Sequence, residues 1–262
     1  MEMDELQKRV QEHEQFRPTL GFTHEGKKIE YLALSSTMVW RSLTLFSKEP
    51  DTLKWIAGFK PGATLVDIGA NVGMYTIWAA ITRDCKVFAF EPESQNYAML
   101  NANLHVNKLS EKVRAYCLAL SDETAFDVLN LCEFVQGSSN HTFKERLNFN
   151  LEAMNPVYQQ GCFATTLDAL VAQGVVPIPQ HIKIDVDGIE HRVVKGMETT
   201  LKHPDVQSVL IEINTHLGEH QAIITRLQES GFNYSEAEVE ESLGRQKGSK
   251  FEGVGNFIFY RN

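Results

Sequence analysis

The sequence predicts an α/β protein built on a doubly wound, mostly parallel sheet. Three observations point there. Short apolar runs rich in β-branched residues alternate with helix-patterned segments of roughly ten to thirteen residues, the signature of repeated βαβ units. The first of these strands breaks at a glycine turn, Gly69-Ala70-Asn71-Val72-Gly73, that opens directly into a helix. Acidic residues stand at the carboxyl ends of several strands, the edge at which open α/β sheets bind ligands. With 262 residues, 43% of them hydrophobic, the chain is long enough for a well-buried core and near the size at which one core stops growing.

Taken in order, residues 1–16 are highly charged and read as a surface helix or a frayed arm. Residues 29–34 read as a short strand, and 38–46 fit a helix or a strand equally. Pro50-Asp51 followed by Leu53, Trp55, Ile56 and Phe59 reads as an amphipathic helix with proline in its first turn, ended by Pro61-Gly62. Strands follow at 64–68, 86–90 and 113–120, with helices at 72–82 and 95–106 between them. Next comes an irregular stretch of roughly 45 residues, far longer than an ordinary βα connection, near whose end 165–171 reads as a short helix. A fourth strand is expected at 182–186, a helix at 189–201, a fifth strand at 206–213 and a helix at 217–229. Gly231-Phe232 opens a short strand, 236–250 reads as a solvated loop, and 256–260 is the last strand. With no helix foreseen between them, these two strands read as an antiparallel return at the sheet edge. The expected organisation is an N-terminal extension over 1–60 and a main domain over 61–262. Within that domain, 130–163 is an insertion expected to shape an acceptor site.

Charge narrows the function classes. Against 25 basic side chains stand 34 acidic ones, a net charge of -9, which argues against a nucleic-acid partner and against an anionic membrane surface. No run of about 18 apolar residues exists to span a bilayer. The acidic start Met1-Glu2-Met3-Asp4-Glu5 is the reverse of a secretory signal, so a cytoplasmic location is expected. Cys85, Cys117, Cys132 and Cys162 are widely spread and read as reduced thiols.

The glycine turn allows a ligand close approach and aims helix N–H groups at an anion. Asn71 replaces a glycine that related loops often carry, and asparagine tolerates the left-handed region. Asp67, just before the turn, would repel a dinucleotide pyrophosphate but attract an ammonium group. S-adenosylmethionine offers both a carboxylate and an amino group, so it is the expected cofactor. Glu91 ends the second strand roughly 20 residues on, the distance at which an acid accepts from ribose hydroxyls; the bland alternative is a surface turn with Pro92. Ala119, Ser121 and Asp122 follow the third strand where a nucleoside base would lie, although a Ser-Asp pair also simply forms turns. Asp185 and Asp187, two apart, would share a face of an extended fourth strand, with Lys183 placed to pair with one of them. Capping of the next helix by Asp187 with Glu190 three residues later is the structural alternative.

The segments LVDIGANVGMYT (65–76), VFAFEPESQNYAML (87–100), LALSDET (118–124), TTLDAL (165–170) and KIDVDGIEHRVVKGM (183–197) stand in one order and spacing. In these the chain resembles the FkbM family of S-adenosylmethionine-dependent methyltransferases, over about 65 to 215. The resemblance implies a class I, Rossmann-like methyltransferase fold: a seven-stranded, mostly parallel sheet whose last strand is antiparallel. It implies that Asp67, Gly69, Asn71 and Gly73 line the methionine end of the cofactor, with Ala70 and Tyr75 of the same segment also expected to contact it. By the same resemblance Glu91 serves the ribose, Asp122 falls near the adenine, and Asp185 near the methionine portion and acceptor; Asn96, Ala119 and Ser121 are also expected to contact the cofactor. Family members mostly methylate hydroxyls of small molecules and sugars, so O-methylation is expected. N-methylation of an amide or amine, as on a peptide side chain, is the alternative, and a non-catalytic nucleotide-binding protein is the rival of another class.

For a hydroxyl acceptor, Asp187 is the expected proton acceptor, with Asp185 orienting the acceptor or the cofactor's amino group. His216 is the rival base. Asp185 or Asp187 with Glu212 and Asn214 could offer oxygen ligands to Mg²⁺, but loop hydrogen bonding accounts for Glu212 and Asn214, and no metal is assigned. The insertion mixes Phe134, Phe143, Phe149, Tyr158 and Phe163 with Asn140, His141, Arg146 and Asn148, a lining suited to a polar, ring-bearing acceptor such as a sugar.

Overall fold

A computed structural model describes residues 3–261, so the expectations for residues 1, 2 and 262 lie outside the described residues. Helix α1 (Met3–Gln15) buries no side chain, as its charge density demands. Strands β1 (Thr19–His24) and β2 (Lys27–Leu32) form an antiparallel hairpin whose turn, Glu25-Gly26, is left-handed at both residues, as a tight two-residue hairpin requires. The sequence reading found only the second strand, because β1 has no fully buried residue to mark it. Residues 38–46 resolve as helix within α2 (Ser36–Lys48): Ser35 caps the Met38 N–H, and Met38, Ser42 and Leu45 are buried at helical spacing. Helix α3 (Pro50–Ala57) follows, with its proline in the first turn.

The alternating part begins with β3 (Thr64–Ile68), α4 (Met74–Thr82), β4 (Lys86–Phe90), α5 (Ser94–Val106) and β5 (Val113–Tyr116). The single strand expected at 113–120 splits after Tyr116: its second part, β6 (Ala119–Leu120), leaves the main sheet for another. That other sheet is built from the supposedly irregular insertion, with β7 (Ala125–Leu131), β8 (Thr142–Phe143) and β9 (Tyr158–Thr165) in the order β6-β9-β7-β8. Helix α6 (Leu167–Ala172) and strand β10 (His181–Ile184) return the chain to the main sheet. The helix expected at 189–201 is two, α7 (Glu190–Lys195) and α8 (Glu198–Leu201). They break at Gly196, which packs so closely on the Ser121 carbonyl that a Cβ there would lie 2.0 Å from its oxygen.

Strand β11 (Ser208–Asn214), helix α9 (Gly218–Glu229) and strand β12 (Phe232–Tyr234) follow. The expected loop at 236–250 contains a helix, α10 (Glu236–Arg245), capped by Ser235 and burying Val239 and Ser242. It connects to β13 (Val254–Arg261), so a helix does separate the last two strands. The main sheet has the order β12-β13-β11-β10-β3-β4-β5. All pairings are parallel except those of β13, which inserts antiparallel between β11 and β12 rather than at the edge. Strand order therefore reverses between β3 and β10, and the crevice above that point is where such sheets bind ligands.

The two sheet faces carry separate cores. Ile29, Met38, Leu45, Trp55, Leu65 and Ile77 join in one, so the N-terminal elements share a core with the sheet. Val66, Ile68, Ile182, Ile184 and Ile211 belong to the other, with Val193 and Ile223 from α7 and α9. Side-chain alternation along β3 and β10 then sends Asp67 and Lys183 to the first face, where they are register partners. Among the described residues no helix is long and apolar enough to cross a membrane.

Candidate active site

Beyond β3 the backbone doubles back in the glycine turn. Gly69 adopts φ +78°, and a Cβ on it would lie 1.8 Å from the Asp185 carbonyl oxygen, so only glycine lets β3 and the end of β10 approach this closely. Gly73, at φ +88°, caps α4 and leaves no space for a Cβ beside Leu100. Asn71 stands in the left-handed region, and its Oδ1 accepts the Val72 N–H. The turn's own N–H groups are all used within the protein. Those of Gly69 and Ala70 go to Phe90 O, that of Asn71 to Glu91 Oε2, that of Val72 to Asn71 Oδ1 and that of Gly73 to Ala70 O. Within the turn, therefore, no N–H group is left to face an anion; the first-turn N–H groups of α4, from Met74 on, begin beyond it.

Two adjoining cavities open at this edge. The larger, about 190 Å³, is lined by Gly69, Asn71, Glu91, Asn96 and Ala119, and by Asp185 and Asp187. A smaller slot of about 30 Å³ is bounded by Asp67, Gly69, Ala70, Asn71, Tyr75, Lys183 and Asp185, and by one face of α2. The expected site residues thus converge, with three exceptions. Gly73, Ser121 and Asp122 line neither cavity: Gly73 starts α4, Ser121 is buried against Gly196, and the Asp122 carboxylate pairs with Lys195 Nζ at 2.8 Å.

The acids at this rim are unevenly paired. Asp67 is 1% exposed; its Oδ2 accepts from Thr76 Oγ1 at 2.5 Å, whereas its Oδ1 is buried with no partner. Burial raises its pKa against the pull of Lys183 and Thr76. Lys183 Nζ donates to Asp185 Oδ2 at 2.9 Å, as expected from the sequence. Burial works against the Lys183 charge, but Asp185, Asp67 and Glu49 together outweigh it and raise its pKa. Glu91 accepts the N–H of Asn71 at 2.8 Å and of Glu93 at 2.9 Å, yet burial pushes its pKa up to about 7. Burial and then the Asp185 charge push Asp187 up to about 7 as well. Glu212 lines the same cavity and is held well above the ordinary carboxylate range, by burial and then by Asp185 and Asp187.

The shared strand face expected for Asp185 and Asp187 is not formed. Strand β10 ends at Ile184, and both acids sit in the following turn, Asp187 at φ +61°. They still reach one cavity. Asp187 does not cap α7; instead its Oδ2 accepts the Asn140 N–H at 2.6 Å. Glu190 reaches back to the N–H groups of Val186 and Gly188, each at 3.0 Å, and pairs with buried His220 at 3.2 Å. His220 Nδ1 accepts the Asn214 N–H, leaving Nε2 as the donor to this turn. The rival base His216 is exposed, holds the Glu252 carbonyl at 3.2 Å and lines neither cavity. Asn214 spends its side chain on Asn150 and the His216 N–H. Among the described residues no group of three His, Cys, Asp or Glu side chains has metal-holding geometry.

The insertion closes over the site. Ser138 O accepts from Asn71 Nδ2 at 2.7 Å and Asn96 Nδ2 at 3.0 Å, and Gly137 N donates to Asn96 Oδ1 at 2.7 Å. Arg41 Nε holds Gly137 O at 2.7 Å from the N-terminal side. Of the insertion's aromatics, Phe143 lines the cavity, while Phe134 packs tilted against Tyr158 and Phe163 against Phe126 outside it. Residues that the sequence reading missed, Trp40, Arg41 and Lys48 of α2 and Gln246 and Phe251 near the C-terminus, also line it. None carries a local motif.

Comparison with known proteins agrees with this architecture. Residues 67–234 match the profile described as the methyltransferase FkbM domain. The chain is 25% identical over 205 residues to hexuronic acid methyltransferase AglP of Haloferax volcanii, covering 77% of this chain and 76% of that protein. It is 26% identical over 196 residues to the 31-O-demethyl-FK506 methyltransferase FkbM of Streptomyces tacrolimicus, covering 66% and 74%. The crystal structure of methyltransferase FkbM from Methylobacillus flagellatus superposes with a TM-score of 0.50 at 12% identity, covering 86% of this chain and 53% of that one. That likeness concerns the fold. The profile match spans well over half of the sequence, from Asp67 in β3 through β12, and the chain belongs to the FkbM-domain methyltransferase family.

Proposed function

We propose that the protein is an S-adenosylmethionine-dependent O-methyltransferase acting on a hydroxyl of a small molecule or sugar. The observation that carries this reading is the gathering of Asp67, Glu91, Asp185 and Asp187 around one crevice above the strand-order switch. The residues fit the donor: a buried carboxylate oxygen of Asp67 lacks a partner beside the glycine turn, and Glu91 stands where ribose hydroxyls can donate. Bound S-adenosylmethionine supplies an electrophilic methyl group on a sulfonium. Asp67 and Asp185 hold the cation of its amino-acid end, and Glu91 with Asn96 orients the nucleoside. The acceptor lies on the Asp187 side, against Phe143 and the loop at 136–141. Asp187 takes the hydroxyl proton as the oxygen loses it, and the Asn140 N–H keeps the carboxylate aimed. The names of the hexuronic acid and FK506 relatives support an oxygen acceptor.

The test is transfer of a labelled methyl group to carbohydrate and small-molecule extracts by wild type and by Asp187→Asn. Asparagine fits the left-handed backbone and keeps an acceptor for Asn140. The variant is expected to bind the donor normally and to lose roughly 10²- to 10⁴-fold in turnover. Full turnover by the variant contradicts the base assignment, and label confined to amines contradicts the oxygen acceptor.

A further inference from the structure

We propose that Arg41, on the helix preceding the matched domain, binds the carboxylate of the methyl donor's amino-acid end, with Lys48 adding positive potential beside it; this rests on the donor reading above. Arg41, Thr44, Leu45 and Lys48 all line the small slot next to the glycine turn. Their spacing of three, four and seven places them on one face of α2. Across the slot stand Asp67 and Asp185, with Asp67 Oδ1 buried and unpartnered. Lys183 stands with these acids and pairs with Asp185, so that wall keeps an excess of carboxylates, while Arg41 brings the positive charge to the α2 wall. That is the complement of an amino-acid zwitterion, whose carboxylate and ammonium share one carbon.

Two further observations direct the carboxylate to Arg41. Every N–H of the glycine turn from Gly69 to Gly73 is already donated within the protein, so the turn itself offers an anion no donor. Arg41 is half-buried and spends Nε on Gly137 O, while no described residue accepts from its two terminal amino groups. Lys48 Nζ is engaged by Glu49 Oε1 at 2.5 Å and contributes charge rather than a free donor. Arginine is the side chain suited to fork onto a carboxylate. Both residues precede Asp67, where the family match begins. The cofactor site of this chain is therefore completed by a segment outside that match. The Nε bond to Gly137 also joins carboxylate binding to the loop that covers the crevice.

The experiment is calorimetric titration of wild type, Arg41→Gln and Arg41→Lys with S-adenosylmethionine and with its decarboxylated form, which keeps the nucleoside, sulfonium and amine. Wild type is expected to bind the decarboxylated form more weakly. Arg41→Gln should lose roughly 10- to 100-fold in affinity for the intact donor and less than about twofold for the decarboxylated one. Arg41→Lys should recover part of the loss. Equal weakening toward both ligands would mean that Arg41 only anchors the loop, and would overturn the proposal. So would equal wild-type affinity for the two. Failure of wild type to bind either one would instead overturn the donor reading on which the proposal rests.

Discussion

Glu91→Gln separates what the site acid does for ligand binding from what it does for the fold. Glu91 is 5% exposed and has two backbone donors, yet burial lifts its pKa from the ordinary 4.5 to about 7. The native state holds that proton more tightly than the unfolded chain. Wild type therefore keeps this contribution fully at low pH and loses it as pH rises through about 7, a change of roughly 3 kcal/mol. Glutamine cannot titrate. It also turns an amide nitrogen toward one of the two N–H donors, a cost of about 1–3 kcal/mol that does not vary with pH. Urea unfolding followed by tryptophan fluorescence at about pH 5 and about pH 8 should thus show the variant less stable in acid, with the gap closing by roughly 3 kcal/mol in base. Asp187 and Glu212 add slopes of the same sign, so the difference between the two proteins is the quantity to read. In the same variant, donor affinity near neutral pH should fall by roughly tenfold, as expected for a lost charge-assisted hydrogen bond. Parallel pH profiles for the two proteins would refute the reasoning.

Gly69→Ala places a methyl group 1.8 Å from the Asp185 carbonyl oxygen at φ +78°; a stability loss of about 3 kcal/mol in the same unfolding assay, with loss of donor binding, is expected. Asn96→Ala removes partners of Gly137 N and Ser138 O. Hydrogen exchange across 136–141 should then accelerate while the strands of the main sheet stay protected.

Local signals made the heart of the fold legible. Strands β3 and β4 are short, apolar and bounded by turn residues, and the glycine turn marks the ligand edge in the sequence itself. Glu91 and Asp185 are expected at the rim for the same reason, and both line the larger cavity: strand ends in a parallel sheet share one edge. Less was legible wherever long-range packing decides. Arg41 and Lys48 reach the slot because Met38, Ser42 and Leu45 bury the adjoining side of α2, Leu45 standing at the slot's edge, which no motif records. The sheet of β6 to β9 looked irregular because its strands are joined by long polar connections and carry exposed residues such as Phe126 and Tyr158. Charge in 236–250 hid a helix whose buried face is only Val239 and Ser242. The geometry of Asp185 and Asp187 escaped because Glu190 pulls the chain into a turn where an extended strand was assumed.

On the proposed reading, the acids at the upper edge of the sheet hold a positively charged sulfur nucleoside. Calorimetric titration of the wild-type protein with S-adenosylmethionine and, separately, with NAD tests it most directly. Saturable one-to-one heat with S-adenosylmethionine and none with NAD is the predicted result, and Asp67→Asn should abolish the signal. Heat on NAD addition with silence toward S-adenosylmethionine would contradict the account.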